Sequence, residues 1–187
     1  SIECIRAKRS VENISNIAVK HDLIVLSDEC YKELIYEGNK HYSIASFPGM
    51  VDRTIVIYSF GKAYTMFGWR VGYAAGSEDI IKKMLAIQSN MVSCPTTFAQ
   101  KGALAAFREG QKDLSLTVQK YKTLRDMTVK RLNMIKGLSC STPEFGYCVF
   151  PDVSGLTESA DSLAEYLLEK WKIAVTPGSA FGNVGKA

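Results

Sequence analysis

The sequence predicts an α/β protein, a sheet layer dressed with helices and followed by a smaller α+β unit. Three observations carry this reading. Two apolar runs of strand length, Leu23-Ile24-Val25-Leu26-Ser27 and Thr54-Ile55-Val56-Ile57-Tyr58, are rich in β-branched and aromatic residues. Stretches with a helical period flank and separate the strand-like segments. Two residues able to do chemistry, Asp28 and Lys62, stand just past the carboxyl ends of those runs, where open α/β sheets gather their ligands.

Taken in order, Val11, Ile14, Ile17 and Ala18 repeat at the helical period and predict a helix over 11–21. The strand at 23–27 reads as buried and delivers Asp28. A loop-rich connection holding Gly38, Pro48 and Gly49 leads to the strand at 54–58, and a third strand is expected at 71–75. From Glu78 a helical stripe runs through Ile81, Met84, Leu85, Gln88 and Met91, breaks at Ser93-Cys94-Pro95 and resumes over 98–107. Gly110 is a stop. A second long helix then carries Leu114, Val118, Tyr121, Leu124, Thr128, Leu132 and Ile135, with Gly137 as its end. Beyond it, short strands are expected near 138–141 and 147–150, a helix over 162–171 and a strand over 172–176. The Met, Leu and Ile stripes read as core, and Tyr64 and Trp69 as packing residues rather than pocket lining.

Composition narrows the function classes. The chain has 187 residues, 47% of them hydrophobic, and a net charge of +4. That size supports one sizeable core, or one domain with a small annex. Arg6, Lys8 and Arg9 read as a solvated helix face, not a nucleic-acid footprint. Five cysteines without a Cys-x-x-Cys pair suggest reduced thiols in a cytoplasmic setting. No apolar run reaches the roughly 18 residues of a membrane span, and no signal peptide is visible. His21 and His41 have no partner at ligand spacing, so no metal is expected. The spacing of Gly68, Gly72 and Gly76 is not a dinucleotide fingerprint, and Gly185-Lys186 lacks the rest of a phosphate loop.

Lys62 is the best candidate for a catalytic amine. At a strand end it can lose its proton through desolvation or a neighbouring cation, and a neutral amine attacks carbonyls to form a Schiff base. Arg70, eight residues on, has a planar fork suited to phosphate. A Schiff-base lysine serving an aromatic aldehyde cofactor also needs a carboxylate for the ring nitrogen, a donor for the phenolic oxygen and phosphate ligands. Asp28, Tyr31 and Ser59 supply these in principle. Singly, each has a plainer reading: an aspartate after a strand is often a helix cap, and a strand-end lysine is usually a solvated surface group. Cys30 reads as a small buried hydrophobe.

Together, Ile24-Val25-Leu26-Ser27-Asp28-Glu29-Cys30-Tyr31 and the run from Ser59 through Lys62 to Gly68-Trp69-Arg70 resemble the two signatures of the class I and II aminotransferases. These are fold-type I enzymes dependent on pyridoxal 5′-phosphate. The stretch Ile173-Ala174-Val175-Thr176-Pro177-Gly178-Ser179-Ala180-Phe181-Gly182 resembles the strand and turn near the family's carboxyl terminus. The resemblance implies that 1–110 is the end of the large cofactor-binding domain, and that 111–187 is a connecting helix with a truncated small domain. It implies that Lys62 holds the cofactor as a Schiff base and shuttles the α-proton, and that Asp28 pairs with the pyridine nitrogen. Tyr31 would then bond the phenolic oxygen, while Ser59 and Arg70 bind the phosphate. The implied activity moves an amino group from an amino acid to a 2-oxo acid, in a cytoplasmic homodimer without nucleic-acid or membrane partners. A carbon–sulfur lyase on the same scaffold, or an effector domain of a transcription regulator, are the alternatives.

The chain departs from the family pattern at both ends. It lacks the amino-terminal phosphate loop, the ring-stacking aromatic and an asparagine near the phenolic oxygen. It also stops before the arginine expected to bind the substrate carboxylate. The expectation is therefore a piece of a longer enzyme, inactive alone and with apolar sheet edges exposed. Phe67, and the run Phe145-Gly146-Tyr147-Cys148, also differ from the common pattern.

Overall fold

The computed structural model describes residues 8–182 and 185. The chain divides into two compact units, one up to Lys120 and one from Tyr121.

In the first unit, helix α1 (Lys8–Lys20) leads into strand β1 (Val25–Asp28), which pairs in parallel with β2 (Thr54–Ser59). Strand β3 (Gly72–Ala75) returns antiparallel on the other side of β2, giving the order β1-β2-β3. The register sets Asp28 opposite Ile57 and Ser59 opposite Gly72. The carboxyl ends of β1 and β2 and the amino end of β3 therefore share one edge of the sheet. The connection from β1 to β2 contains 3-10 turns at Ile44–Ser46 and Val51–Arg53. Gly38 and Gly49 take φ of +73° there, a region glycine enters without penalty.

Two small cores hold this unit. Val11, Ala18, Ile44, Phe47 and Met50 pack α1 against the connection, with Val25 beside them. Tyr58, Phe60, Met66 and Val71 pack with Ala99 and Ala103 of helix α3 (Thr97–Glu109). Lys8 and Arg9 are exposed, whereas Arg6 lies outside the described residues.

The expectation of a fully buried β1 is corrected. The strand alternates, with Val25 and Ser27 half-buried, Asp28 exposed and Leu26 64% exposed. Among the described residues it is an edge strand, and its pleat puts Val25 against α1 while Leu26, on the other face, meets no covering layer. The apolar stripe of helix α2 (Glu78–Met91) is corrected likewise: none of its residues is buried, and Met91 is 74% exposed. Periodicity marks a helix that can bury a face, not one that has been given a partner.

Helix α4 (Gln111–Leu132) follows α3 after Gly110 and crosses from the first unit into the second. It stops short of the expected Ile135. Asn133 donates through Nδ2 to the Cys140 carbonyl at 3.0 Å and accepts from the Cys140 N–H at 2.7 Å. That side chain draws the following chain back, and Gly137 turns with φ of +90°.

In the second unit, the strands expected near 138–141 and 147–150 form no ladder among the described residues; Ser139 and Asp152 pair in an isolated antiparallel bridge. The segment at 172–176 forms no ladder among the described residues. These segments have strand composition, but a strand needs a neighbour to bond. Helix α5 (Ala160–Trp171) starts two residues earlier than expected, because the Ser159 hydroxyl accepts from the Ser162 N–H. Within this unit Tyr121 stacks on Tyr147 at 5.6 Å.

Candidate active site

The shared sheet edge gathers most of the residues singled out in the sequence. Asp28 ends β1, exposed, and its Oδ1 accepts from the Cys30 N–H at 3.1 Å. The chain then turns: the Lys32 N–H bonds the Glu29 carbonyl, and the Leu34 N–H bonds the Tyr31 carbonyl. This turn carries Tyr31 to the end of β2. There the Nζ of Lys62 lies 5.4 Å from the centroid of the Tyr31 ring, in cation–π range. Ser59 is the last residue of β2, and its hydroxyl accepts from the Gly61 N–H at 3.2 Å.

Cys30 reports on how close these groups are. Burial and the Asp28 carboxylate push its thiol up to about 12, while the Lys62 ammonium and the Ser59 backbone pull the other way. The Asp28 carboxylate, the Lys62 amine and the Ser59 backbone thus all act on one thiol that stays protonated at neutral pH.

Arg70 stands at the same end of the sheet, two residues before Gly72, the partner of Ser59. It has φ of +51°, in the left-handed region that non-glycine residues seldom enter. Its Nη1 donates to the Phe67 carbonyl at 3.0 Å. It lines a cavity of about 710 Å³ with Thr65, Trp69, Gln88 and Phe98. Trp69, expected to serve packing, does both: it lines this cavity and meets the Phe98 ring edge-on at 5.9 Å. Tyr64 packs on the core as expected.

Two groups were not foreseen. Glu29 is 4% exposed and accepts from Ser43 Oγ at 2.6 Å, His41 Nε2 at 2.9 Å and Ser27 Oγ at 3.2 Å. Burial works to raise its carboxyl, but those donors outweigh it and hold the group below the ordinary glutamate value. Glu33 accepts from the Tyr58 hydroxyl at 2.9 Å, and desolvation holds its carboxyl above the ordinary value. Beside it, Lys32 Nζ sits 4.5 Å over the Tyr58 ring and donates to Tyr73. Spacing carried no signal for the pairing of His41 with Glu29, since the eleven residues between them form a loop connection.

Comparison with known proteins places the chain in context. The family model for aminotransferase class I and II matches residues 7–186. The chain is 40% identical to an aspartate aminotransferase of Pyrococcus abyssi, over 96% of this chain and 46% of that protein. It is 38% identical to aromatic-amino-acid aminotransferase 2 of Thermococcus litoralis, again over 96% of this chain and 46% of that one. The crystal structure of an aromatic aminotransferase from Pyrococcus horikoshii matches with a TM-score of 0.88 at 38% identity, covering 96% of this chain and 48% of that one. The chain thus spans about half the length of the relatives it matches.

Proposed function

The chain belongs to the class I and II aminotransferase family, and on that premise we propose that the protein of which it is part moves an amino group from an amino acid to a 2-oxo acid with pyridoxal 5′-phosphate. One observation supports this most: Lys62 lies over the Tyr31 ring while Lys62 and Asp28 both act on the Cys30 thiol. A single cofactor needs an amine, a ring-nitrogen partner, a phenolic-oxygen donor and phosphate ligands within one molecule's reach. The donor set at this sheet edge fits that need group by group.

Bound there, pyridoxal 5′-phosphate would supply an aldehyde for the lysine amine and a ring that spreads the electron pair left when an amino acid loses its α-proton. The protein's part is binding, orientation and proton transfer. Lys62 Nζ would be the amine for that aldehyde and the base that takes the α-proton and returns it. The Asp28 carboxylate would accept from the ring nitrogen and favour its charged form. The Tyr31 hydroxyl would donate to the phenolic oxygen. Ser59 and the fork of Arg70 would hold the phosphate through charge-assisted contacts.

The proposed assembly is a cytoplasmic homodimer, with 1–110 in the large domain and 111–187 in the connecting helix and small domain. No described helix is long and apolar enough to cross a membrane. Light scattering on the full-length protein checks the dimer.

Adding pyridoxal 5′-phosphate to the full-length protein should give a visible band that borohydride bleaches, and Lys62→Ala should abolish the reducible adduct. A Lys62→Ala protein that still forms it defeats the assignment. A half-reaction screen beginning with aspartate and aromatic amino acids addresses the donor. Pyruvate and thiol released from cystathionine without a 2-oxo acid would point to a lyase instead.

A further inference from the structure

The sequence places two carboxylates side by side, and only one can face a cofactor. Successive residues of an extended strand point to opposite faces, so Asp28 and Glu29 must part. A slip by one residue would exchange them. The structure settles the matter through contacts of Glu29, not of Asp28. The Glu29 N–H bonds the Ile57 carbonyl of β2 at 2.9 Å, and its carbonyl closes the turn by accepting from Lys32. Its carboxylate accepts from Ser27 in its own strand, and from His41 and Ser43 in the connection to β2. Every polar group of this residue is engaged.

We propose that Glu29, clamped by His41 and Ser43, is a positioning residue that locks the end of β1 so that Asp28 and Tyr31 face the cofactor. This rests on the site reading given above. The cause is the cost of burying a carboxylate: at 4% exposure it stays ionised only where donors surround it. Only one backbone register brings Ser27, His41 and Ser43 around it. The donors come from two separate segments, so the clamp also ties the connection at 41–44 to the strand end. Tyr31 lies two residues past Glu29, within the turn that Glu29 closes, and moves with it.

Glu29→Gln tests the clamp because it keeps the shape and changes the chemistry. Its neutral amide removes the charge that holds all three donors, and the His41 contact persists only as a neutral imidazole accepting at Nε2. His41→Phe keeps a ring at a side chain that is 30% exposed but has no donor for the carboxylate, and tests the same contact if Glu29→Gln does not fold.

The experiment uses the full-length protein in three forms: wild type, Glu29→Gln and His41→Phe. Amide hydrogen exchange over 30–34 is measured without cofactor, then affinity for pyridoxal 5′-phosphate and the pH midpoint of the visible band. We expect exchange in that segment to quicken, and affinity to fall, by about tenfold or more, the equivalent of one lost hydrogen bond to a charged group. The pH midpoint should shift, since Asp28 no longer sits squarely on the ring nitrogen, while borohydride still fixes the cofactor on Lys62. Variants with wild-type exchange, affinity and midpoint would overturn the proposal and leave the Lys62 assignment standing. A wild type with no reducible adduct on Lys62 would overturn the site reading, and this inference with it.

Discussion

At the scale of single residues, the site is a set of side chains whose chemistry is set by close neighbours. Cys30 is the clearest case. Its thiol, pushed up to about 12 by burial and Asp28, is almost entirely protonated at pH 8, and only the thiolate is a good nucleophile. Iodoacetamide should therefore label the exposed Cys94 well before Cys30, as peptide mass mapping over time would show. Faster labelling of Cys30 would mean that the carboxylate is not beside it. Glu33 offers a test in pH. Its carboxyl is held above the ordinary value near 4.5 by desolvation, so the folded state binds that proton more readily than the unfolded chain. Its contribution to stability is then greatest at low pH and falls as pH rises past 4.5. Tyr58→Phe removes the one hydroxyl seen to donate to it and should cost about 1–3 kcal/mol at pH 7. The deficit should be smaller at pH 4, where the carboxyl is protonated, as urea titrations at the two values would show.

At the scale of elements, the strand ends do the positioning, and they were largely legible. Residues 54–58 and 71–75 were expected as strands and form β2 and β3, because β-branched runs bounded by loop residues leave little alternative. Asp28 and Lys62 were expected past strand ends for the same reason. Contacts set by tertiary partners were not legible. Asn133 ends α4 by bonding Cys140, seven residues away, and nothing in the local period announces that. Glu29 and His41 meet only because the connection folds back on β1. The exposed face of α2 defeated the periodic reading, since a stripe shows capacity for burial and not its fulfilment. Gly72 tests the sheet edge: a Cβ there would press into the Tyr58 carbonyl, where β2 and β3 meet opposite Ser59. Gly72→Ala should destabilise the protein by about 1–3 kcal/mol through overpacking, and it should weaken cofactor binding. Unchanged thermal unfolding would show that the strands do not close there as described.

At the scale of the whole molecule, the chain accounts for about half of each relative it matches, and its surface carries large apolar side chains. Leu26 on β1, Leu85, Ile87 and Met91 on α2, and Phe98 and Phe107 on α3 are all exposed. Many large apolar side chains left exposed mark surface that can serve as a contact face or as an aggregation liability. The 187-residue chain expressed alone should therefore self-associate with rising concentration in sedimentation velocity, and should show no transamination. A monomeric, fully active 187-residue species would contradict the proposed domain roles.

The proposed function stands on one amine, Lys62, carrying the cofactor in a site whose acid is Asp28. The most direct test reduces the full-length protein with borohydride after addition of pyridoxal 5′-phosphate and locates the added mass by peptide sequencing. A pyridoxyl group is expected on Lys62, with Asp28→Ala lowering the yield and leaving the position unchanged. A modification on any other lysine, with Lys62 untouched, would contradict it.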